Sequence, residues 1–164
     1  MSQPLRVLLI EKSATEAEIL INMLLYAGFQ IESRLVCAHE EIGHALSEGP
    51  HDLAICDCSP PLENILGAVQ KVRNFSKTLP LIVVSEEVNA REAAELIRCG
   101  ASDYVPKSNM ARLALAVERE RVKHSNDVSK VKTFRGSRRV PPADKTARSL
   151  HIRSPYRKKR ASGV

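Results

Sequence analysis

The feature that most limits what this chain can fold into is an alternation repeated five times: a short apolar run, then a stretch with apolar residues at helical spacing. The runs are LRVLLI (5–10), QIESRLV (30–36), DLAICD (52–57), LPLIVVS (79–85) and SDYV (102–105). Each is too short for a helix and reads as a strand, and LPLIVVS, with Val and Ile on both faces, reads as a buried one. Between them the pattern changes period. Ser13-Ala14-Thr15-Glu16 reads as a capping box opening a helix to Tyr26, with Leu20, Met23, Leu24 and Ala27 on one face and Gly28 as its stop. Residues 38–48 read as a second helix ended by Gly49-Pro50, and a third follows Pro60-Pro61 to about Phe75. Asn89 with Glu92 three residues on opens a fourth helix ending at Gly100, and residues 109–123 form a fifth with Leu113, Ala116 and Val117 inward. Strands alternating with helices imply right-handed crossovers and a doubly wound parallel sheet, an α/β fold.

Composition agrees. Hydrophobic residues make up 43% of the chain but aromatic ones only 4%, with no Trp, so the core must be built from Val, Ile, Leu and Ala. There is no apolar run long enough for a membrane helix, and Glu11 and Lys12 interrupt the amino-terminal run before it reaches signal-peptide length, so the expected location is cytoplasmic. Cys37, Cys56, Cys58 and Cys99 have neither C-x-x-C spacing nor a His at metal-ligand spacing, and are read as reduced, buried thiols. Charge divides the chain: residues 1–120 carry 11 Lys and Arg against 17 Asp and Glu, whereas residues 121–164 carry 14 against 2. Apolar periodicity stops at about Ser125, and a segment so charged cannot repay the entropy of ordering. The expectation is one domain over residues 1–123 and a basic, disordered tail over 124–164.

In an open parallel sheet, ligands bind beyond the carboxyl ends of the strands. Those ends carry Glu11 after the first strand, Asp57 at the third, Ser85 at the fourth and Lys107 after the fifth. Taken singly, a strand-end Asp is most often a cap, a Ser there is unremarkable, and a Lys is usually solvated. Together they would set a carboxylate, a hydroxyl and an ammonium around one point. No Gly-rich phosphate loop follows the first strand, and no Ser, His and Asp fall where a nucleophilic triad would form, so an enzyme is not expected.

The segments RVLLIEKS, HDLAICDCSPP, LPLIVVSEE and CGASDYVPKSN, in this order and spacing, resemble the receiver domain of bacterial response regulators over residues 5–122. The resemblance implies a flavodoxin-like five-stranded sheet in the order 2-1-3-4-5. It also implies that Asp57 accepts a phosphoryl group from a histidine kinase or phosphotransfer protein in a two-component phosphorelay. Mg²⁺ would be held by Glu11, Asp57 and the backbone carbonyl of Ser59. Ser85 would donate to a phosphoryl oxygen, Lys107 would pair with Asp57 or its acyl phosphate, and Tyr104 matches the aromatic of the family's switch. Output would be contact with a downstream protein.

Four positions depart from the family pattern. Lys12 stands where a second acid is usual, so it would repel Mg²⁺ and attract Asp57 if it points inward. Glu86 replaces a small residue beside the incoming phosphoryl group. Ile65 replaces a Gly after the third strand, and Ser108 stands where many members have a Pro with a cis peptide. Two further readings follow: a phosphate-independent adaptor in which Lys12 stands in for the metal, and a protein that binds nucleic acid or another polyanion through Arg135, Arg138, Arg139 and the cluster Arg157, Lys158, Lys159 and Arg160. Phe134 and Tyr156 could stack on bases, but no nucleic-acid-binding motif accompanies them.

Overall fold

Successive side chains of a strand point to opposite faces, so a run apolar at every position needs cover on both sides. The computed structural model, which describes residues 3–86 and 88–123, has that cover. Strands β1 (Leu5–Ile10), β2 (Ile31–Val36), β3 (Leu53–Asp57), β4 (Leu81–Ser85) and β5 (Asp103–Pro106) form one parallel sheet in the order β2-β1-β3-β4-β5. Helices α1 (Ala14–Tyr26), α2 (Ile42–Glu48), α3 (Leu62–Phe75), α4 (Ala90–Cys99) and α5 (112–123) follow the strands in turn. This is the flavodoxin-like arrangement. The expected tail over 124–164, with Arg157, Lys158, Lys159 and Arg160, lies outside the described residues.

The pleat sorts the strands into two cores. Leu8, Ile10, Ala54, Cys56, Leu81 and Val83 pack under α2, α3 and α4 with Ile42, Ile65, Val69, Val72 and Leu96. Their neighbours Val7, Leu9, Leu53, Ile55, Ile82 and Val84 pack on the other face with Ala17, Leu20 and Leu24 of α1 and Leu113, Ala116 and Val117 of α5. All of these lie within a few per cent of complete burial. Each large side chain so buried contributes roughly 1.5–3 kcal/mol. Ile65, one of the departures from the family pattern, is a fully buried member of the first core.

Three local expectations are corrected. The inward stripe of α1 is Ala17, Leu20 and Leu24; Met23 is only half-buried and Ala27 is exposed, because the helix ends there and its last turn runs past the edge of the sheet. The second helical segment starts as a 3₁₀ turn, His39–Glu41, before α2. The Ser13–Glu16 capping box is half-formed, for a reason given below. At Gly100 the chain turns with φ +116, and its backbone N–H donates to the carbonyls of Ile97 and Leu96, closing α4. A side chain there would both strain the backbone and collide with Arg73, whose guanidinium donates to the carbonyls of Gly100, Ser76 and Leu79. Ser108 lies in a 3₁₀ turn, Lys107–Asn109, and the cis peptide bond of the described residues joins Pro60 and Pro61.

Candidate functional site

The carboxyl ends of β1, β3 and β4 and the turn after β5 bring the candidate residues to one end of the sheet. Asp57 is the last residue of β3, flanked by β1 and β4, and only 4% of it is exposed. Lys107 Nζ forms an ion pair with Asp57 Oδ1 at 3.1 Å, and beyond that contact no hydrogen bond reaches either Asp57 oxygen among the described residues. Burial pushes the Asp57 carboxyl up to about 6; Lys107 pulls the other way, and Glu11 and Glu16 reinforce the rise. Burial also works against the charge of Lys107, yet Asp57 and then Glu16 outweigh it and hold the ammonium above its ordinary value. The two shifts do not mirror each other: loss of hydration dominates at the enclosed carboxylate, and attraction to two carboxylates dominates at the more exposed amine.

Glu11, buried at the end of β1, uses Oε1 to accept from the backbone N–H of Ser13 at 2.6 Å. Ser13 Oγ in turn accepts from Glu16 N at 3.3 Å, which caps α1. The Glu16 side chain does not return to Ser13; it lies 3.3 Å from Lys107 Nζ. Glu16 was read from the sequence as a cap alone. Its position one turn into the helix that leaves the site was the available signal, but the partner is 91 residues away.

Ser85 is completely buried, and its hydroxyl donates to the carbonyl of Cys58 at 3.0 Å. Tyr104 is part-buried and ties β5 to the turn after β4: its hydroxyl donates to the carbonyl of Glu86 at 3.0 Å and accepts from Val88 N at 3.2 Å. Glu86 itself is exposed, and its carboxylate makes no ion pair among the described residues. Lys12 is also exposed and makes none; the cation in contact with Asp57 is Lys107. A narrow crevice of about 50 Å³ opens beside Asp57, lined by Glu11, Lys12, Cys37, His39, Cys58 and Ser59. A larger concavity of about 590 Å³, lined by Gln3, Arg6, Asp52 and Glu118 among others, lies at the opposite end of the sheet, away from the convergent groups.

Glu11, Asp57 and Ser59 line the small crevice, and carboxylate and carbonyl oxygens are the hard donors that Mg²⁺ prefers. The buried Asp57 carboxylate, paired with Lys107 through Oδ1 and short of hydrogen bonds, fits such an ion. No group of three or more His, Cys, Asp or Glu among the described residues is arranged to hold a metal, so two carboxylates and a carbonyl would leave most of the coordination to water.

No helix among the described residues is long and apolar enough to cross a membrane. The receiver domain profile of response regulators matches residues 7–118. The two-component response regulator PhoP of Pseudomonas aeruginosa is 30% identical over 95 residues, covering 56% of this chain and 42% of that protein. The transcriptional regulatory protein PhoP of Escherichia coli is 29% identical over 103 residues, covering 63% and 45%. The chain thus spans less than half the length of these relatives. Among solved structures, a CheY-like response regulator receiver domain protein from Methanospirillum hungatei matches with a TM-score of 0.65 at 15% identity, over 76% of this chain and 99% of that one. A response regulator receiver protein from Pseudomonas putida matches with a TM-score of 0.60 at 24% identity, over 73% and 99%. Sheet order, the acid at the end of β3 and the extent of the profile match agree: the chain belongs to the response regulator receiver domain family.

Proposed function

We propose that the chain is a phosphoacceptor module: Asp57 takes a phosphoryl group from a phosphohistidine on a histidine kinase or phosphotransfer protein and signals through contacts with a downstream protein. The observation that carries this reading is the buried Asp57 carboxylate, held by the Lys107 ion pair and without further hydrogen bonds among the described residues. A buried carboxylate without such bonds is costly, and the cost is understandable where the oxygens must stay free to attack phosphorus or to bind a cation. An Asp57 oxygen would bond to phosphorus as the bond from phosphorus to the histidine nitrogen breaks, and the imidazole leaves. Glu11, Asp57 and the Ser59 carbonyl would hold Mg²⁺, which when bound offsets the negative charge of carboxylate and phosphoryl group. Lys107 already supplies one cation at Asp57. Ser85 would exchange the Cys58 carbonyl for a phosphoryl oxygen, and Tyr104, held to the turn after β4, would report that exchange to the β4–β5 surface as a shift in population.

The adaptor reading has one observation in its favour: the hydroxyl of Ser85 and the amine of Lys107 are already engaged, with Cys58 and with Asp57 and Glu16. Incubation with Mg²⁺ and acetyl phosphate, followed by intact-mass measurement, separates the two. The phosphoacceptor reading expects one added phosphoryl group, lost on chelating the metal and absent in Asp57→Ala. No adduct on the unaltered chain would support the adaptor instead.

A further inference from the structure

Asp57 stands between two cysteines, and the pleat that turns Asp57 toward α1 turns both of them the other way. Cys56 and Cys58 are free thiols that join the core under α2 and α3, with their Sγ atoms 2.6 Å apart. They differ in access. Cys56 is sealed, whereas Cys58 retains 7% exposure and lines the crevice beside Asp57. His39 lines the same crevice and sets Nε2 at 3.8 Å from Cys58 Sγ. A thiol buried only as a small hydrophobe needs neither a base nor a second thiol in contact.

We propose that Cys56 and Cys58 form a dithiol that hydroperoxides oxidise to a disulfide, with Cys58 reacting first and Cys56 resolving. His39 takes the Cys58 proton, and the sulfur attacks the terminal peroxide oxygen. The O–O bond breaks, and the departing alkoxide or hydroxide takes the proton back from His39, leaving a sulfenic acid on Cys58. Cys56 sulfur then attacks Cys58 sulfur, the S–O bond breaks, and hydroxide leaves with the Cys56 proton as water. Two thiols lose two electrons, and one peroxide is reduced to water and an alcohol, or to two waters. Forming a disulfide needs Cys Cβ atoms on one face of the chain with their sulfurs in contact, which Cys56 and Cys58 supply. The bridge would span the backbone on both sides of Asp57 and include the carbonyl that Ser85 holds. A thiophilic metal is the weaker occupant, since no three ligands among the described residues are arranged for one.

The test treats the full chain with a small excess of hydrogen peroxide, quenches in acid, unfolds in guanidinium with an alkylating agent and maps the peptides. The expected product carries Cys56 and Cys58 in one peptide, lighter by two hydrogen atoms and alkylated only after reduction, while Cys37 and Cys99 remain alkylated. Cys56→Ser should accumulate a sulfenic acid on Cys58 that dimedone traps, and His39→Gln should slow the reaction roughly tenfold at pH 7. Circular dichroism of each variant checks that it is folded. Full alkylation of Cys56 and Cys58 after peroxide, or a bridge from Cys58 to Cys37, would overturn the proposal; an unchanged rate in His39→Gln would overturn the proton transfer.

Discussion

Helix α4 opens on Asn89 with Glu92 three residues on, and α1 opens on Ser13 with Glu16 three residues on. In α4 the box closes in both directions: Asn89 Oδ1 accepts from Glu92 N, and the Glu92 carboxylate accepts from Asn89 N, each at 2.9 Å. In α1 only the first half forms. Glu16 turns to Lys107, and Glu11 accepts the Ser13 N–H that Glu16 leaves. The difference lies in what stands nearby. Beside α1 is an ammonium drawn into the fold by Asp57, which offers the Glu16 carboxylate an opposite charge where the cap offers only a neutral N–H. A local capping pattern yields to a distant charge, and the acids around Asp57 change duties as a result.

Removing the competing cation should break the comparison with the largest effect. Lys107→Met leaves the buried Asp57 without its pair and should cost roughly 3–5 kcal/mol at pH 8, measured by urea unfolding. At pH 5 most of that loss should vanish, because a protonated Asp57 needs no cation. Removing the buried charge itself comes next. The folded-state pKa of Asp57 is raised, to about 6, so the folded protein holds its proton longer than the unfolded chain and stability falls as pH rises between about 4 and 6. Asp57→Asn should therefore stabilise the fold by roughly 2–3 kcal/mol at pH 8, with the gain disappearing below about pH 4. The two caps then separate by a smaller margin: Asn89→Ala should cost about 1 kcal/mol in thermal or urea unfolding. Ser13→Ala should cost less, about 0.5 kcal/mol, because its bond is the longer one.

The fold was legible because the apolar runs alternate with helical periods, and runs apolar on both faces leave few arrangements besides a covered parallel sheet. Position at the strand ends brought Glu11, Asp57, Ser85 and Lys107 forward for the same reason. Of the connections among them, the Asp57–Lys107 pair came from the family resemblance, and the others were not legible. Nothing near Glu16 in the chain announces Lys107, and nothing near Ser85 announces that its hydroxyl meets the Cys58 carbonyl. The contact between Cys56 and Cys58 was within reach, since residues two apart on a strand share a face, but reading both as core thiols hid it. The resemblance gave Lys107 as the partner of Asp57, and it is; Lys12, which would have met Asp57 only by pointing inward, is exposed.

Phosphoacceptor chemistry at this site rests on a carboxylate that is buried, short of hydrogen bonds and in competition with Glu16 for the Lys107 ammonium. Titration of the Asp57 carboxyl carbon by NMR, in the unaltered chain and in Glu16→Gln, tests that directly. The midpoint should lie at about 6 in the unaltered chain and lower in Glu16→Gln, where a neighbouring negative charge is gone and Lys107 is left to Asp57. The half-exposed Glu16 pair should change stability by no more than about 0.5 kcal/mol. A midpoint in the ordinary aspartate range near 3.9, unmoved by the substitution, would contradict the buried and shared carboxylate described for Asp57.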